Sequence, residues 1–403
     1  MRILHTSDWH LGRKLYGQER RGEFQSFLDW LTELLKAERV DSLIVAGDVF
    51  DSSTPPVWAQ ELYYRFLAGL RGTPCRSAVI VAGNHDSAAL LDAPKGLLNC
   101  LDIHVVGTPA VHPAEEVFEL PGFEGKAGAL CCAVPFLRLR DLCTPASGET
   151  PDITSARALE GFRARYRQAA EEAEARRGGR DLPIVATGHC FAAGGLTRDD
   201  GVRDLSVGSI EAVPLSAFPE TVDYLALGHL HLPQTCSGAK SRRYSGSPIC
   251  MGFGEAGQQK QVLIVDFEGR RPSVRIQPVP CWQELRRLAG SFDEIAARLA
   301  ELEMSRRSVW VEADCTDGGQ SLYGRIQACL QEGSPVQVLR VKAAGVGAAS
   351  ALSGDGDLNE DWSPLEVFRL YLEEHHIEGD EAGELAAAYR QALEAVLSEE
   401  AAS

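Results

Sequence analysis

Residues 7–12, SDWHLG, follow directly on the apolar run RILHT at 2–6, so a carboxylate (Asp8) and an imidazole (His10) stand two apart where a strand would end and a loop begin. The arrangement recurs down the chain. DSLIVAGD (41–48) ends on Asp48, SAVIVAGNHDS (77–87) runs into Asn84, His85 and Asp86, LPIVATGHC (182–190) reaches His189, and VDYLALGHLH (222–231) reaches His229 and His231. Gly47, Gly83, Gly188 and Gly228 precede the polar residues of those four runs, and a residue without a side chain lets the backbone turn tightly against whatever is held there. Runs such as LIVAG are apolar throughout, as in strands covered on both faces. Between the first two lie Phe24, Phe27, Leu28, Leu31, Leu34 and Leu35 at helical spacing, so residues 1–110 read as strand, helix, strand, helix, strand: an α/β layered domain whose strands end on one edge.

Further on, the pattern becomes hairpin-like over 115–135 and helical, rich in Arg and Glu, near 155–178. The runs LPIVATG, VDYLALG, RRYSGS and KQVLIVDFEG are expected to add a second sheet. The register changes at Pro280. WQELRRLAGSFDEIAARLAELE (282–303) reads as helix, SVWVEADC (308–315) as strand, SLYGRIQACLQEG (321–333) as helix and VQVLRVKAA (336–344) as strand, a small α/β domain. Residues 343–361, rich in Gly, Ala, Ser and Asp, read as a flexible linker. After it, Ser363, Pro364 and Glu366 make a capping box, and Leu365, Phe368 and Leu372, then Leu385, Tyr389, Leu393 and Leu397, form the stripes of a helical hairpin. Such a hairpin either packs on its own domain or lies on a partner's helix.

The 403 residues carry a formal charge of −17, which excludes a protein that grips nucleic acid with its general surface field. If DNA is the substrate, metal ions or a basic partner supply the attraction. The eleven cysteines are scattered without a C-x-x-C pair, so zinc-finger spacing is absent and reduced thiols of a cytoplasmic protein are expected. No apolar run approaches the roughly 18 residues of a membrane span.

Five of the ten histidines, His10, His85, His189, His229 and His231, stand just beyond apolar strand-like runs, two of them, His10 and His85, within two residues of Asp or Asn. Asp8, His10, Asp48, Asn84, His189, His229 and His231 form a mixed oxygen and imidazole donor set without thiolate. Seven donors exceed the needs of one tetrahedral zinc, so two ions sharing a carboxylate are implied, about 3.5–4 Å apart. The set suits Mn, Fe or Zn. Two such ions acidify a water and clamp the oxygens of a phosphate ester, which is machinery for phosphoester hydrolysis.

In this order, D-x-H, G-D-x-x-D, G-N-H-D, G-H and G-H-x-H resemble the signature of the calcineurin-like metallophosphoesterases. Within them, MRILHTSDWHLGRKLYG, GDVFDSSTPP, GNHDS, LGHLH, YSGSPICMGFGE and SPLEVFRLYLEE are similar to the family of bacterial SbcD nuclease subunits, a likeness that is weakest over 281–361. The resemblance implies a two-sheet metallophosphoesterase sandwich flanked by helices over 1–280, a capping domain over 281–342, the linker over 343–361, and C-terminal helices over 362–403 that dock on the coiled coil of an SbcC ATPase. It implies two Mn²⁺ ions, one on Asp8, His10, Asp48 and His231, the other on Asp48, Asn84, His189 and His229, with Asp48 bridging. His85 would be the acid at the leaving 3′ oxygen, and Asp86 would orient it by a hydrogen bond. Asp51 stands where archaeal and eukaryotic relatives carry His and could simply cap the helix after SSTPP; Arg13 and Lys14 are candidates for contact with substrate phosphate.

The implied activity is 3′ to 5′ exonuclease action on double-stranded ends and endonuclease action on single strands and hairpins, in DNA repair, replication and recombination. The implied assembly is a heterotetramer-type complex with SbcC, with self-association through the phosphoesterase domain and no membrane. Two alternatives remain. A small-substrate phosphoesterase is disfavoured because GDVFDSS and GNHDS differ from the G-D-x-x-D-R-G and G-N-H-E of serine/threonine phosphatases. A scaffold that lost its chemistry would lack ligands, and here none is missing.

Overall fold

The computed structural model describes residues 1–122, 125–144, 149–192, 212–317 and 322–343, together with Phe368, Leu372, Ala382, Leu385, Ala386 and 388–390. In chain order the elements are β1 (Arg2–Thr6), β2 (Lys14–Leu15), β3 (Gln18–Glu19), α1 (Arg21–Ala37), β4 (Ser42–Ala46), α2 (Val57–Gly69), β5 (Ser77–Val81), α3 (Ala88–Asp92), α4 (Lys95–Asn99), β6 (Ile103–Val106), β7 (Val117–Pro121), β8 (Ala127–Cys132), α5 (Leu139–Leu142) and α6 (Pro151–Arg177). Then follow β9 (Ile184–His189), β10 (Tyr224–Gly228), β11 (Gln234–Thr235), β12 (Arg242–Tyr244), β13 (Gln261–Glu268), β14 (Arg271–Pro278), β15 (Glu284–Gly290), α7 (Phe292–Met304), β16 (Val309–Cys315), α8 (Leu322–Gln327) and β17 (Val336–Ala343). They fall into two compact units: Met1–Arg13 with Glu19–Gln283, and Lys14–Gln18 with the chain from Glu284 onward.

The first unit is a sandwich of two six-stranded sheets, ordered β14-β13-β1-β4-β5-β6 and β11-β12-β10-β9-β8-β7. Strands β1, β4, β5 and β6 are parallel, as are β8, β9, β10 and β12, so their carboxyl ends share an edge within each sheet. Period-two alternation sorts their side chains. Ile3, Ile44, Val79 and Val81 face inward against Ala129, Cys131, Val185 and Ala226 of the other sheet. Leu4, Leu43, Val45 and Ile80 face outward, where Phe24, Phe27 and Leu31 of α1 and Leu62 and Phe66 of α2 cover them. Phe162, Tyr166 and Ala169 of α6 do the same for Leu130, Ala186 and Leu225 on the far face of the second sheet. Each aliphatic side chain so removed from water contributes roughly 1.5–3 kcal/mol, which explains why these strands are apolar on both faces. The fold is thus the α/β two-sheet sandwich flanked by helices.

Two expectations about strands require correction. KQVLIVDFEG does not join the second sheet: β13 pairs antiparallel with β1, Ile3 opposite Val265 and His5 opposite Leu263. Val262, Leu263, Ile264 and Val265 are all buried, so this strand needs cover on both faces, and the position beside β1 supplies it while β14 takes the edge. Likewise Glu284–Gly290 is a strand rather than the first turns of a helix, because it pairs parallel with β16 over its whole length. The helix begins only at Phe292, where Ser291 and Glu294 form a capping box.

The second unit is built on the parallel sheet β15-β16-β17, with Ile295 and Leu299 of α7 and Leu322 and Ile326 of α8 packed on Val309, Val311, Val336 and Val338. Tyr16 belongs to it, its hydroxyl 2.8 Å from Arg340 Nη1. The expected linker lies outside the described residues but for Ala343, as does most of the expected hairpin. Of the latter, Phe368 and Tyr389 are helical, and their rings stack with centroids 4.1 Å apart. Among the described residues no helix is long and apolar enough to cross a membrane.

His5, on β1, is wholly buried, with Nδ1 3.0 Å from the Tyr224 hydroxyl and Nε2 3.2 Å from the Leu227 carbonyl oxygen. Burial pushes its pKa down from 6.5 to about 3. The unfolded chain therefore takes up a proton that the folded chain refuses, and stability is lost as pH falls from about 6.5 toward 3, by up to about 1.4 kcal/mol per pH unit. In His5→Gln that contribution is absent. Urea midpoints measured from pH 7 down to 4 are expected to fall less steeply than in the parent chain, and equal slopes would refute the assignment.

Candidate metal centre

Five loops, following β1, β4, β5, β9 and β10, bring the polar residues together. The first two run side by side: Asp8 N–H donates to the Gly47 carbonyl (2.9 Å), His10 N–H to that of Asp48 (3.0 Å), and Leu11 bridges to Phe50. Asp8 (φ 53°), His10 (48°), Asp48 (49°) and His229 (101°) all occupy the left-handed region, which Asp and His tolerate better than most residues and which still costs of order 1 kcal/mol or more each. Strain of this kind persists where surrounding structure over-determines it. The glycines admit the close approach: a Cβ on Gly83 would overlap the Asp48 carboxylate, and one on Gly47, itself at φ +90°, would overlap the His189 ring.

All seven expected donors converge. His10 Nε2 lies 3.1 Å from His231 Nε2 and 3.5 Å from Asp48 Oδ2. His189 Nε2 is 3.2 Å from Asp48 Oδ2 and 3.0 Å from Asn84 Oδ1, which is also 3.1 Å from His229 Nδ1. Asp8 accepts from His229 N–H through Oδ1 (2.9 Å) and from the Ser7 hydroxyl through Oδ2. Ligand-bearing atoms of Asp8, His10 and His231, and of Asp8, Asp48 and His189, lie within 4.8 Å of one another. Asp8, His10, Asp48, His189, His229 and His231 are buried, and Asn84 is half-buried.

The outer nitrogens explain why this set needs cations. His189 Nδ1 faces the Ala46 carbonyl at 2.9 Å and His231 Nδ1 faces Glu255 Oε1 at 3.0 Å, so both carry their proton on Nδ1 and turn the Nε2 lone pair inward. There each lone pair meets oxygens or another imidazole nitrogen. Acceptor against acceptor is repulsive unless a positive charge lies between, and the donors therefore fit divalent metal. The same demand raises proton affinity. Burial would lower the His189 pKa, yet the Asp48 carboxylate overrides it and holds the imidazole at about 9; Asp48 itself stays well below the carboxylate range despite burial because His189, His85 and His10 surround it. His229 goes the other way, to about 3, by burial and by repulsion from His189.

Around the donors stand further polar groups, whose contacts differ in part from those expected of them. Asp51 Oδ1 faces His10 Nδ1 at 3.2 Å, off the angle of a full hydrogen bond, and takes Arg13 Nη1 at 3.1 Å. Although burial raises the Asp51 carboxyl, His10 and Arg13 hold it well below the usual range. Asp51 does not cap α2, whose N-cap is Pro56. Arg13 also donates through Nε to the Met251 carbonyl (3.1 Å), while Lys14 is exposed on β2. Asp86 does not orient His85. Its oxygens accept the backbone N–H groups of Gly83 (2.8 Å), Phe50 (2.8 Å) and Val49 (3.1 Å), tying the loop after β5 to the loop after β4. His85 Nδ1 instead donates to the Asp51 carbonyl at 2.9 Å, and its own N–H donates to Asp48 Oδ1 at 3.0 Å.

Comparison with known proteins agrees with this centre. The family model described as calcineurin-like phosphoesterase matches residues 1–233, and one described as type 5 capsule protein repressor C-terminal domain matches 281–376. The chain is 39% identical over 382 residues to the SbcD subunit of the SbcCD nuclease of Escherichia coli K12, covering 93% of this chain and 94% of that one. The chain belongs to the SbcD nuclease-subunit family of calcineurin-like phosphoesterases. The SbcD protein of Rhodobacter capsulatus is 37% identical over 316 residues (76% of this chain, 77% of that one), and that of Bacillus subtilis 37% over 273 (66% of each). As a member of the SbcD family it is a metal-dependent hydrolase of phosphate esters.

Glu255 is the residue of this SbcD-family centre that motif reading passed over, although it closes the stretch YSGSPICMGFGE. Asp51 was visible as the last letter of G-D-x-x-D, but nothing in its spacing pointed to His10. Carboxylates behind ligand imidazoles fix the ring and its tautomer, and their loss typically weakens metal binding 10- to 100-fold. Asp51→Asn, which keeps shape and removes charge, is expected to lower Mn²⁺ affinity about tenfold by calorimetric titration without unfolding the chain. Unchanged affinity would remove Asp51 from the centre.

Proposed function

We propose that the chain is the Mn²⁺-dependent nuclease subunit of a complex with an SbcC-type ATPase, cutting DNA as a 3′ to 5′ exonuclease on double-stranded ends and as an endonuclease on single strands and hairpins. The observation that carries the reading is the inward convergence of Asp8, His10, Asp48, Asn84, His189, His229 and His231, a buried cluster of oxygen and imidazole donors within about 3–3.5 Å of one another. One ion would be held by Asp8, His10, Asp48 and His231 and the other by Asp48, Asn84, His189 and His229. Such a pair supplies an acidified water and neutralises charge on the phosphate.

His85 is the group in this chain suited to the leaving oxygen. Its Nδ1 proton is committed to the Asp51 carbonyl, which aims the ring and leaves Nε2 to carry the transferable proton. Asp86 supports this from the backbone side by keeping the two loops that bear Asp48 and His85 in register. DNA binding cannot come from a chain of net charge −17 by its overall field. An SbcC-type partner supplies it in this proposal, with residues 362–403 docking on its coiled coil, 343–361 as the tether, 281–342 as a cap that limits which DNA shapes reach the metals, and 1–280 as the nuclease domain and self-association surface. The names of the curated relatives, each a subunit of an SbcCD nuclease, support the partnership.

Purified chain incubated with labelled hairpin DNA, with and without the partner and ATP, is expected to cut in Mn²⁺ and not in chelator. No cutting, with bis-p-nitrophenyl phosphate still hydrolysed, would move the substrate to a small phosphoester. His85→Ala should lose at least a hundredfold in turnover of DNA, whose 3′ alkoxide needs a proton to leave, while still binding two ions by calorimetry, within the roughly 10²–10⁴ that a positioned acid contributes. Normal turnover would exclude His85 as the acid. Deleting residues 363–403 is expected to leave small-diester hydrolysis intact and abolish copurification with the ATPase, and retained copurification would place the docking element elsewhere.

A further inference from the structure

Behind His231 lies a buried ion pair that the proposed reaction does not use. Glu255 is fully buried and Lys260 is 4% exposed. Their side chains form an ion pair through Glu255 Oε2 and Lys260 Nζ. Taking two charges out of water is costly, and apolar residues of the same volume usually serve a core as well or better. A pair retained in such a place therefore calls for something that it holds.

What it holds is His231, at both ends. Glu255 Oε1 meets the imidazole at Nδ1 (3.0 Å), while Lys260 Nζ donates to the main-chain carbonyl of the same residue (3.2 Å), which also accepts from Ser247 N–H (3.2 Å). The second oxygen of Glu255 is further fixed by Met251 N–H (2.9 Å) and the Ser247 hydroxyl (3.4 Å), and the ammonium by Ser247 Oγ (3.0 Å) and Gln258 Oε1 (3.3 Å). The imidazole is left with no freedom to swing, and its Nε2 points at His10 Nε2, 3.1 Å away. Lys260 directly precedes β13, the strand paired with β1, and Asp8 stands just beyond the carboxyl end of β1 at Thr6. One strand pair thus carries a donor on one strand and the support for another donor on its neighbour.

We infer that Lys260 is a positioning residue of the metal centre, acting through Glu255 and the His231 carbonyl to hold the His231 imidazole toward the ion that Asp8 and His10 share. The inference rests on the two-ion reading above. It is tested by calorimetric titration with Mn²⁺ and by the Mn²⁺ dependence of bis-p-nitrophenyl phosphate hydrolysis, in the full chain and two variants. Lys260→Met is expected to weaken one of two binding events tenfold or more and to raise the Mn²⁺ concentration for half-maximal turnover by the same factor. Because that variant strands the Glu255 charge and can fail to fold, Glu255→Gln/Lys260→Met, which removes both charges, carries the test independently. It is expected to melt within a few degrees of the parent chain and to show the same tenfold loss at one ion. Parent affinity for both ions in the folded double variant would overturn the inference and leave the pair as packing. A parent chain that binds fewer than two ions would overturn the two-ion reading itself, and this inference with it.

Discussion

The Oδ2 atom of Asp48, at the end of a strand in the first sheet, lies 3.2 Å from Nε2 of His189, at the end of a strand in the second, with both side chains buried. That contact is possible only where the two sheets pack face to face with their strands' carboxyl ends on the same side, so the sandwich and the centre impose the same condition. The apolar layer between the sheets supplies the energy of the arrangement, and the polar edge spends part of it. Four backbone positions sit at positive φ, and inward lone pairs face one another across about 3 Å. Cations resolve that conflict, which is the physical sense in which the fold is built to bind them.

The donors are aimed by neighbours of opposite charge or by backbone carbonyls, each chosen by where its loop lies. Ala46, at the end of β4, orients His189; Glu255, in the loop before β13, orients His231; Asp51, in the loop after β4, faces His10. Asp51 and Arg13 link a ligand to the residue proposed as acid, since the Asp51 side chain faces His10 and its carbonyl receives the His85 proton. Asp86 was expected to aim His85 and instead ties two loops together through three backbone N–H groups. A buried carboxylate among backbone donors finds partners nearer than a side chain that already has one.

The parts of the architecture most legible in the sequence were those in which local pattern and tertiary role coincide. Apolar runs closing on polar residues marked β1, β4, β5, β9 and β10, and the 3–4 spacing of Phe24 through Leu35 marked α1. Pairing partners were not legible. KQVLIVDFEG reads as a strand in any sheet, and only the need to cover both of its faces sends β13 back beside β1. QELRRLAG has helix-forming residues and becomes β15 because β16 offers a ladder along the whole strand, a case of tertiary pairing overriding propensity.

By itself the sequence determined the chemical type of the centre, because the identity of seven oxygen and imidazole donors at strand ends follows from residue order and from the strands' common polarity. Tertiary structure alone decided what stands behind those donors. Glu255 and Lys260 are separated from His231 in sequence by 24 and 29 residues, and Arg13 from Met251 by 238, so no spacing rule connects them. Their contacts exist because a strand returns to the first sheet and carries its preceding loop under the centre, and the choice of that sheet is made by the burial of both faces of the strand.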